Sequence, residues 1–203
     1  MTRIKMCGIT RPADAALAVE LGVHALGFVL WPDSPRHIRL EDAARIIATL
    51  PPFVTAVGVF VSPGADTVRR AAEEAGIALA QIHGEVPGWD GRRPARILRA
   101  VHLSQGDVGI EPACGEGEAV LLDAHDPVRH GGTGRTVDWA RAALVARARP
   151  VVLAGGLTPA NVAEAIRVVR PYGVDVASGI EMSPGVKDPA RMRMFVEAVK
   201  ETL

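Results

Sequence analysis

The chain has 203 residues, 48% of them hydrophobic, which is enough to bury one substantial core, so a single domain spanning residues 1–203 is the expectation. Its 23 basic residues balance its 23 acidic ones, which excludes a whole-molecule field that would attract nucleic acid or an anionic membrane. Lys5, Lys187 and Lys200 are the only lysines, and no basic run carries interleaved aromatics for stacking on bases, so neither nucleic acid nor membrane is an expected partner.

At the start, Met1-Thr2-Arg3-Ile4-Lys5-Met6-Cys7-Gly8-Ile9-Thr10 lacks the apolar core and cleavage site of a signal peptide, and no apolar run anywhere reaches the roughly 18 residues of a membrane span. Cys7 and Cys114 have no metal-ligand spacing, so both are expected as free thiols in a reducing cytoplasm. Strand candidates then follow in order: Arg3–Ile9, Ala25–Leu30, Val54–Val61, Leu79–His83, Leu98–Leu103, Ala119–Asp123, Val151–Ala154 and Val174–Ala177. Helix-periodic stretches between them include Ala13–Leu21, Glu41–Leu50, Ala65–Ala75, Trp139–Arg147, Pro159–Val169 and Pro189–Thr202. Thr10, Asp138, Thr158 and Asp188 are placed as N-caps.

Eight short, nearly continuous apolar strands alternating with helices predict an α/β fold, a single-domain (β/α)₈ barrel. An open doubly wound sheet is the alternative, but the first strand is not followed by G-x-G-x-x-G, and eight units leave no room for a second domain. The fifth unit fits worst: Ser104–Gly117 carries four glycines and a proline and reads poorly as a helix.

In such a barrel the loops at the carboxyl ends of the strands hold the chemistry. After strands 7 and 8 come Gly155-Gly156 and Ser178-Gly179, whose small residues let backbone N–H groups approach an anion closely, so a phosphorylated small-molecule substrate is expected there. The plainer reading, that these glycines only make tight turns, weakens when two such loops sit at the pair of strand ends that usually holds phosphate. Cys7 closes strand 1, where a thiolate of lowered pKa can serve as a general base, although a lone cysteine there is more often a small buried hydrophobe. Asp123 ends strand 6 and is suited to proton transfer, with Asp126 and Asp138 as neighbouring rivals. Asp175 alternates with Val174 and Val176, so it points into the barrel mouth and needs a partner, either a substrate hydroxyl or a protein donor. Arg36, in the loop after strand 2, has the fork to grip a carboxylate unless it is solvated surface. Gln81 and His83 close strand 4 near the rim, and the histidines form no metal-binding spacing, so no metal is expected.

Taken together, Lys5-Met6-Cys7-Gly8-Ile9-Thr10, Gly27-Phe28-Val29 with Ser34-Pro35-Arg36, Gln81-Ile82-His83-Gly84, Leu121-Leu122-Asp123 with Gly131-Gly132-Thr133-Gly134 and Asp138-Trp139, Gly155-Gly156-Leu157, and Val174–Glu181 with Pro184-Gly185 and Lys187-Asp188 resemble the phosphoribosylanthranilate isomerase family of tryptophan biosynthesis. The match runs strand by strand along the whole chain; it departs at Leu30, Trp31, Ala80 and Ala177, where the family usually carries other residues. The resemblance implies a cofactor-free Amadori rearrangement, with Asp123 as general acid and Cys7 as general base. It further implies Arg36, Gln81, His83 and Asp175 as substrate-binding residues, and Gly132, Gly155, Gly156, Ser178 and Gly179 as phosphate-binding residues, in a monomer or homodimer. Related phosphate-binding barrels would carry several metal-binding histidines, catalytic lysine–glutamate pairs, or paired aspartates in two similar halves, none of which stands in this sequence. A barrel that kept its fold but lost its activity is the non-enzymatic alternative, and the presence of both Cys7 and Asp123 argues against it.

Two proton transfers need no metal, so the implied isomerisation should survive excess EDTA. Loss of turnover in the chelator, restored by an added divalent cation, would remove a mechanism that relies on side chains alone.

Overall fold

The computed structural model describes residues 1–85, 96–102, 119–123 and 138–202. Strand β1 (Arg3–Cys7) pairs in parallel with β2 (Ala25–Val29) on one side and with β8 (Gly173–Val176) on the other. Between these run β3 (Thr55–Val61), β4 (Leu79–His83), β5 (Arg96–His102), β6 (Ala119–Asp123) and β7 (Val151–Leu153), each bonded to the next, and the ring closes without an edge. Strands 4 and 6 have the expected bounds, and the others differ by one or two residues at their ends.

Helices α1 (Pro12–Glu20), α2 (Leu40–Ile47), α3 (Ala65–Ala75), α4 (Trp139–Ala148), α5 (Val162–Val169) and α6 (Pro189–Lys200) cover the outside. Two expected caps form: Asp138 accepts from the Arg141 N–H, and Asp188 from the N–H groups of Ala190 and Arg191. Two do not. Arg11 takes the N-cap position of α1 with no side-chain cap, because the Thr10 hydroxyl donates to the Gly185 carbonyl. Helix α5 begins at Val162, three residues later than expected, since Thr158-Pro159-Ala160 forms a turn held by the Asn161 side chain, which accepts from the Thr158 N–H and donates to the Gly156 carbonyl. The doubtful fifth helix, Cys114 and Asp126 lie outside the described residues.

The period of two along each strand divides the core. Ile4, Met6, Leu26, Phe28, Ile82, Leu122, Leu153, Val174 and Val176 join the helices in one large buried cluster. Their alternates face the barrel axis. Leu98, Ala100, Leu121 and Ala154, with Leu79 and Val152 against them, form an apolar floor, and Cys7, Val29 and Val59 form a second patch. The floor closes the barrel as packed side chains, and it leaves the polar residues nearer the carboxyl ends, Gln81, His83, Asp123 and Asp175, at the mouth.

One element has no counterpart in the sequence reading. After β8 come a short 3₁₀ turn (Ser178–Ile180) and an antiparallel hairpin of β9 (Glu181–Ser183) and β10 (Val186–Lys187). The buried Asp14 carboxylate of α1 anchors it, accepting from the Lys187 N–H at 3.2 Å and from the Arg11 guanidinium at 2.7 and 2.9 Å. Replacing Asp14 with Ala leaves that buried N–H without its acceptor, so Asp14→Ala should lose about 1–3 kcal/mol in urea unfolding, as a stranded buried donor does. Unchanged stability would mean that the hairpin is held by its other contacts alone.

Candidate active site

The barrel mouth opens into a cavity of about 520 Å³ lined by Cys7, Arg36, Gln81, His83, Asp123, Gly155, Gly156, Asp175 and Ser178. Nine of the eleven expected site residues therefore share one space, drawn from β1, β4, β6 and β8 and from the loops after β2, β7 and β8. Gly179 stands one residue behind the wall. A side chain there would collide with the Leu157 carbonyl, so its lack of one is what lets the loops after β7 and β8 lie together. Gly132 lies outside the described residues.

Gly155 and Gly156 both have positive φ, 81° and 66°, a backbone that side-chain-bearing residues adopt only at a cost. Consecutive residues of this kind can turn neighbouring N–H groups toward one side and form a concave seat for an anion. Ser178 faces the same cavity from the neighbouring loop, so the two loops that the sequence paired do meet.

Cys7 is a free, buried thiol whose Sγ borders the apolar group of Val29, Val59, Trp31 and Ala177. Burial pushes this thiol up from its ordinary value, the Lys5 charge pulls it down, and the result is upward. The expected lowering is thus not a property of the resting site. Lys5, two residues earlier on the same face, is also buried and donates to Asp175 Oδ1 at 2.9 Å, so the aspartate's partner here is a protein donor. Burial opposes the Lys5 ammonium, but its pairing with Asp175 outweighs it and the net direction is upward.

Gln81 Nε2 and His83 Nε2 lie 2.9 Å apart in a buried hydrogen bond, with donor and acceptor roles set by the imidazole tautomer. Gln81 Oε1 is buried and, among the described residues, has no hydrogen-bond partner, so a demanding acceptor is left at the cavity wall.

Arg36 is not a solvated surface residue. Its guanidinium makes a forked pair with Glu181, Nη2 to Oε2 at 2.7 Å and Nε to Oε1 at 3.0 Å, so the carboxylate it grips belongs to the protein, and the guanidinium lines the cavity at the same time. Glu181 also accepts from Lys187 Nζ at 2.8 Å and from the Gly185 N–H at 3.2 Å. Lys187 has 0% exposure, and its ammonium donates further to the carbonyls of Cys7 and Ala177. One buried cation thereby joins the end of β1, the loop after β8 and the Arg36 mount. The sequence reading gave no role to Lys5, Glu181 or Lys187. Lys5 carried a signal in being the only lysine on the first six strands, at a same-face spacing from Cys7; the other two are paired by a hairpin that no local pattern announces.

Comparison with known proteins agrees with this picture. The family described as N-(5'-phosphoribosyl)anthranilate (PRA) isomerase matches residues 4–198. The N-(5'-phosphoribosyl)anthranilate isomerase of Citrifermentans bemidjiense is 46% identical over 202 residues, covering 99% of this chain and 98% of that protein. Among solved structures, phosphoribosyl anthranilate isomerase from Thermus thermophilus superposes with a TM-score of 0.88 at 42% identity, covering 100% of both chains. Another phosphoribosyl anthranilate isomerase, solved in complex with reduced 1-(o-carboxyphenylamino)-1-deoxyribulose 5-phosphate, gives a TM-score of 0.83 at 38% identity and covers 99% of this chain and 100% of its own.

The Arg36–Glu181–Lys187 cluster makes a pH prediction. Burial alone pushes the Glu181 carboxyl up, but the Arg36 hydrogen bonds and the Lys187 charge outweigh it and hold the group below its ordinary value. A depressed carboxyl stabilises the fold above its unfolded-state pKa, and that contribution is lost as pH falls through the folded-state value. The stability gap between wild type and Glu181→Gln, measured by denaturant melts, should therefore be widest above about pH 5 and narrow on acidification toward about pH 3. A gap that stays constant over that window would show that Glu181 has the same affinity for protons in both states.

Proposed function

The chain belongs to the N-(5'-phosphoribosyl)anthranilate isomerase family and is an isomerase of tryptophan biosynthesis, and from this premise we propose how its barrel mouth carries the reaction, an Amadori rearrangement of N-(5-phosphoribosyl)anthranilate to 1-(2-carboxyphenylamino)-1-deoxyribulose 5-phosphate. The observation that carries the reading is that Cys7 on β1 and Asp123 on β6 line one cavity together with the glycine loops after β7 and β8. In ring order, the phosphate seat lies between the two proton-transfer groups, which suits a ribose anchored by its 5-phosphate with its reacting carbons between them.

Asp123 donates its proton to the furanose ring oxygen as the C1–O bond breaks, and the anilino nitrogen lone pair forms the C=N bond of a protonated Schiff base. Cys7, as thiolate, then removes the proton from C2. That electron pair forms the C1=C2 bond and the C=N pair returns to nitrogen, giving an enolamine. Protonation at C1 and loss of the 2-hydroxyl proton complete the ketone, and over the cycle both side chains return to their starting states. Once substrate fills the mouth, the apolar walls around Cys7 keep water from the thiol, while Trp31 and Val29 offer a surface to the aryl ring.

The substrate's anthranilate carboxylate meets the face of the Arg36 guanidinium that Glu181 leaves toward the cavity, the phosphate sits at Gly155-Gly156 with Ser178 and Gly179, and Gln81 Oε1 accepts a substrate hydroxyl or the anilino N–H. Asp175 shares its carboxylate between Lys5 and the sugar. All of these groups come from one protomer, so monomer and homodimer both accommodate the activity. No helix among the described residues is long and apolar enough to cross a membrane, and the free Cys7 thiol suits a cytoplasmic location.

Each proton-transfer group should contribute the ~10²–10⁴-fold typical of general acid–base catalysis, so Cys7→Ala and Asp123→Asn should both collapse kcat while substrate binding survives. The fluorescence of the anthranilate substrate follows this directly. If either variant kept more than about a tenth of wild-type kcat, well outside that range, its residue would not be the base or the acid.

A further inference from the structure

A buried thiol that must ionise needs a cation, and the barrel mouth supplies one from the same strand. Lys5 and Cys7 are two residues apart on β1 and therefore share a face. On one side the β1–β8 register places Lys5 opposite Asp175, where the ammonium is held at 2.9 Å. On the other side Cys7 stands opposite Gly27 of β2, and a Cβ at Gly27 would lie 2.8 Å from Cys7 Sγ and 3.2 Å from Lys5 Nζ. Both atoms thus border the space that Gly27 leaves empty.

Among the described residues Lys187 also favours the thiolate, but no cation acts on the sulfur as strongly as Lys5. Val29 of β2, Val59 of β3, Trp31 and Ala177 are apolar. Lys187 lies behind the strand end, with its ammonium donating to Glu181 and to the carbonyls of Cys7 and Ala177, and Arg36 is held by Glu181. Asp175, the anion across from Lys5, works against ionisation of the thiol.

We propose that Lys5 is a positioning residue for the general base: its ammonium stabilises the Cys7 thiolate across the gap left by Gly27, and Asp175 keeps that ammonium at the barrel mouth. The proposal rests on the reading of Cys7 as the base. The thiol loses its proton to solvent through the open cavity before substrate fills it, and the thiolate then shares the Lys5 charge with Asp175. When the thiolate takes the C2 proton it becomes neutral again, and Lys5 returns to pairing with Asp175 alone. Burial of both ammonium and sulfur makes this interaction much stronger than it would be in water.

The test is the pH dependence of iodoacetamide alkylation at Cys7, read by peptide mass on the full chain so that Cys114 is counted separately, with the acid limb of kcat/KM measured in parallel. Lys5→Met should raise the alkylation midpoint by at least about one pH unit, equivalent to about tenfold slower alkylation at neutral pH, and move the kinetic limb the same way. Lys5→Arg should restore part of the shift. Asp175→Asn keeps an acceptor for Lys5 while removing an anion, so it should lower the midpoint. Because Lys5→Met strands a buried carboxylate, the double variant Lys5→Met/Asp175→Asn, compared with Asp175→Asn, gives the same comparison free of that cost. A midpoint unchanged in Lys5→Met, unchanged in the double variant against its reference, or unchanged in Asp175→Asn overturns the proposal. These outcomes are separate from the base assignment: Cys7→Ala with near wild-type turnover sinks that assignment whatever the alkylation profile, whereas an inactive Cys7→Ala with an unmoved midpoint sinks only the role of Lys5.

Discussion

Pairing of β1 with β8 closes the sheet into a ring, and the chemistry at the mouth follows from that closure. The register sets Lys5 opposite Asp175 across 170 residues of sequence. It also brings the end of β1 beside the loop after β8, where Lys187 can donate to the Cys7 and Ala177 carbonyls at once. An open sheet would leave β1 and β8 with an unpaired edge and separate Lys5 from Asp175. A closed ring gathers carboxyl-terminal strand ends around one cavity, which is how residues from the first and last parts of the chain come to line the same space.

The price of that arrangement is buried charge. Lys5, Asp175, Glu181 and Lys187 are all buried, and taking such groups out of water costs several kcal/mol each before pairing offsets it. Well-packed apolar residues would fill the same volume with less penalty, so stability alone does not account for these pairs. Each one instead fixes the position of a group at the barrel mouth. The Lys5–Asp175 pair keeps a cation by the thiol, and the Glu181 carboxylate orients the Arg36 fork with three hydrogen bonds. Lys187 ties the strand end, the loop and the hairpin together through its ammonium. The apolar floor formed by Leu98, Leu121 and their neighbours supports this polar layer and gives it a low-dielectric base, which strengthens every charge interaction above it.

Much of this was legible in the sequence, because it is carried by local pattern. Short β-branched runs at regular intervals gave all eight strands, and the helix-periodic stretches gave the six described helices to within a few residues. Cys7, Asp123 and Asp175 were readable as mouth residues because the end of a parallel strand in a barrel is a fixed place relative to the cavity. The misplaced caps were less legible: Thr10 and Thr158 are good capping residues by type, but distant or turn-forming partners took the local groups that a cap would use, Gly185 in one case and Asn161 in the other.

What the sequence by itself determined is the βα alternation, the barrel it implies and the residue types at the strand ends, since periodicity and turn chemistry act over a few residues. Only the tertiary structure decided the partners of the charges. Arg36 was expected to wait for a substrate carboxylate and already holds Glu181; Cys7 was expected to have a lowered pKa and is instead raised by its own burial. The physical reason is the same for both. Desolvation and ion pairing depend on which groups the closed ring and the β9–β10 hairpin bring within a few ångströms, and residues 36 and 181, or 5 and 175, have no sequence pattern that announces their distance.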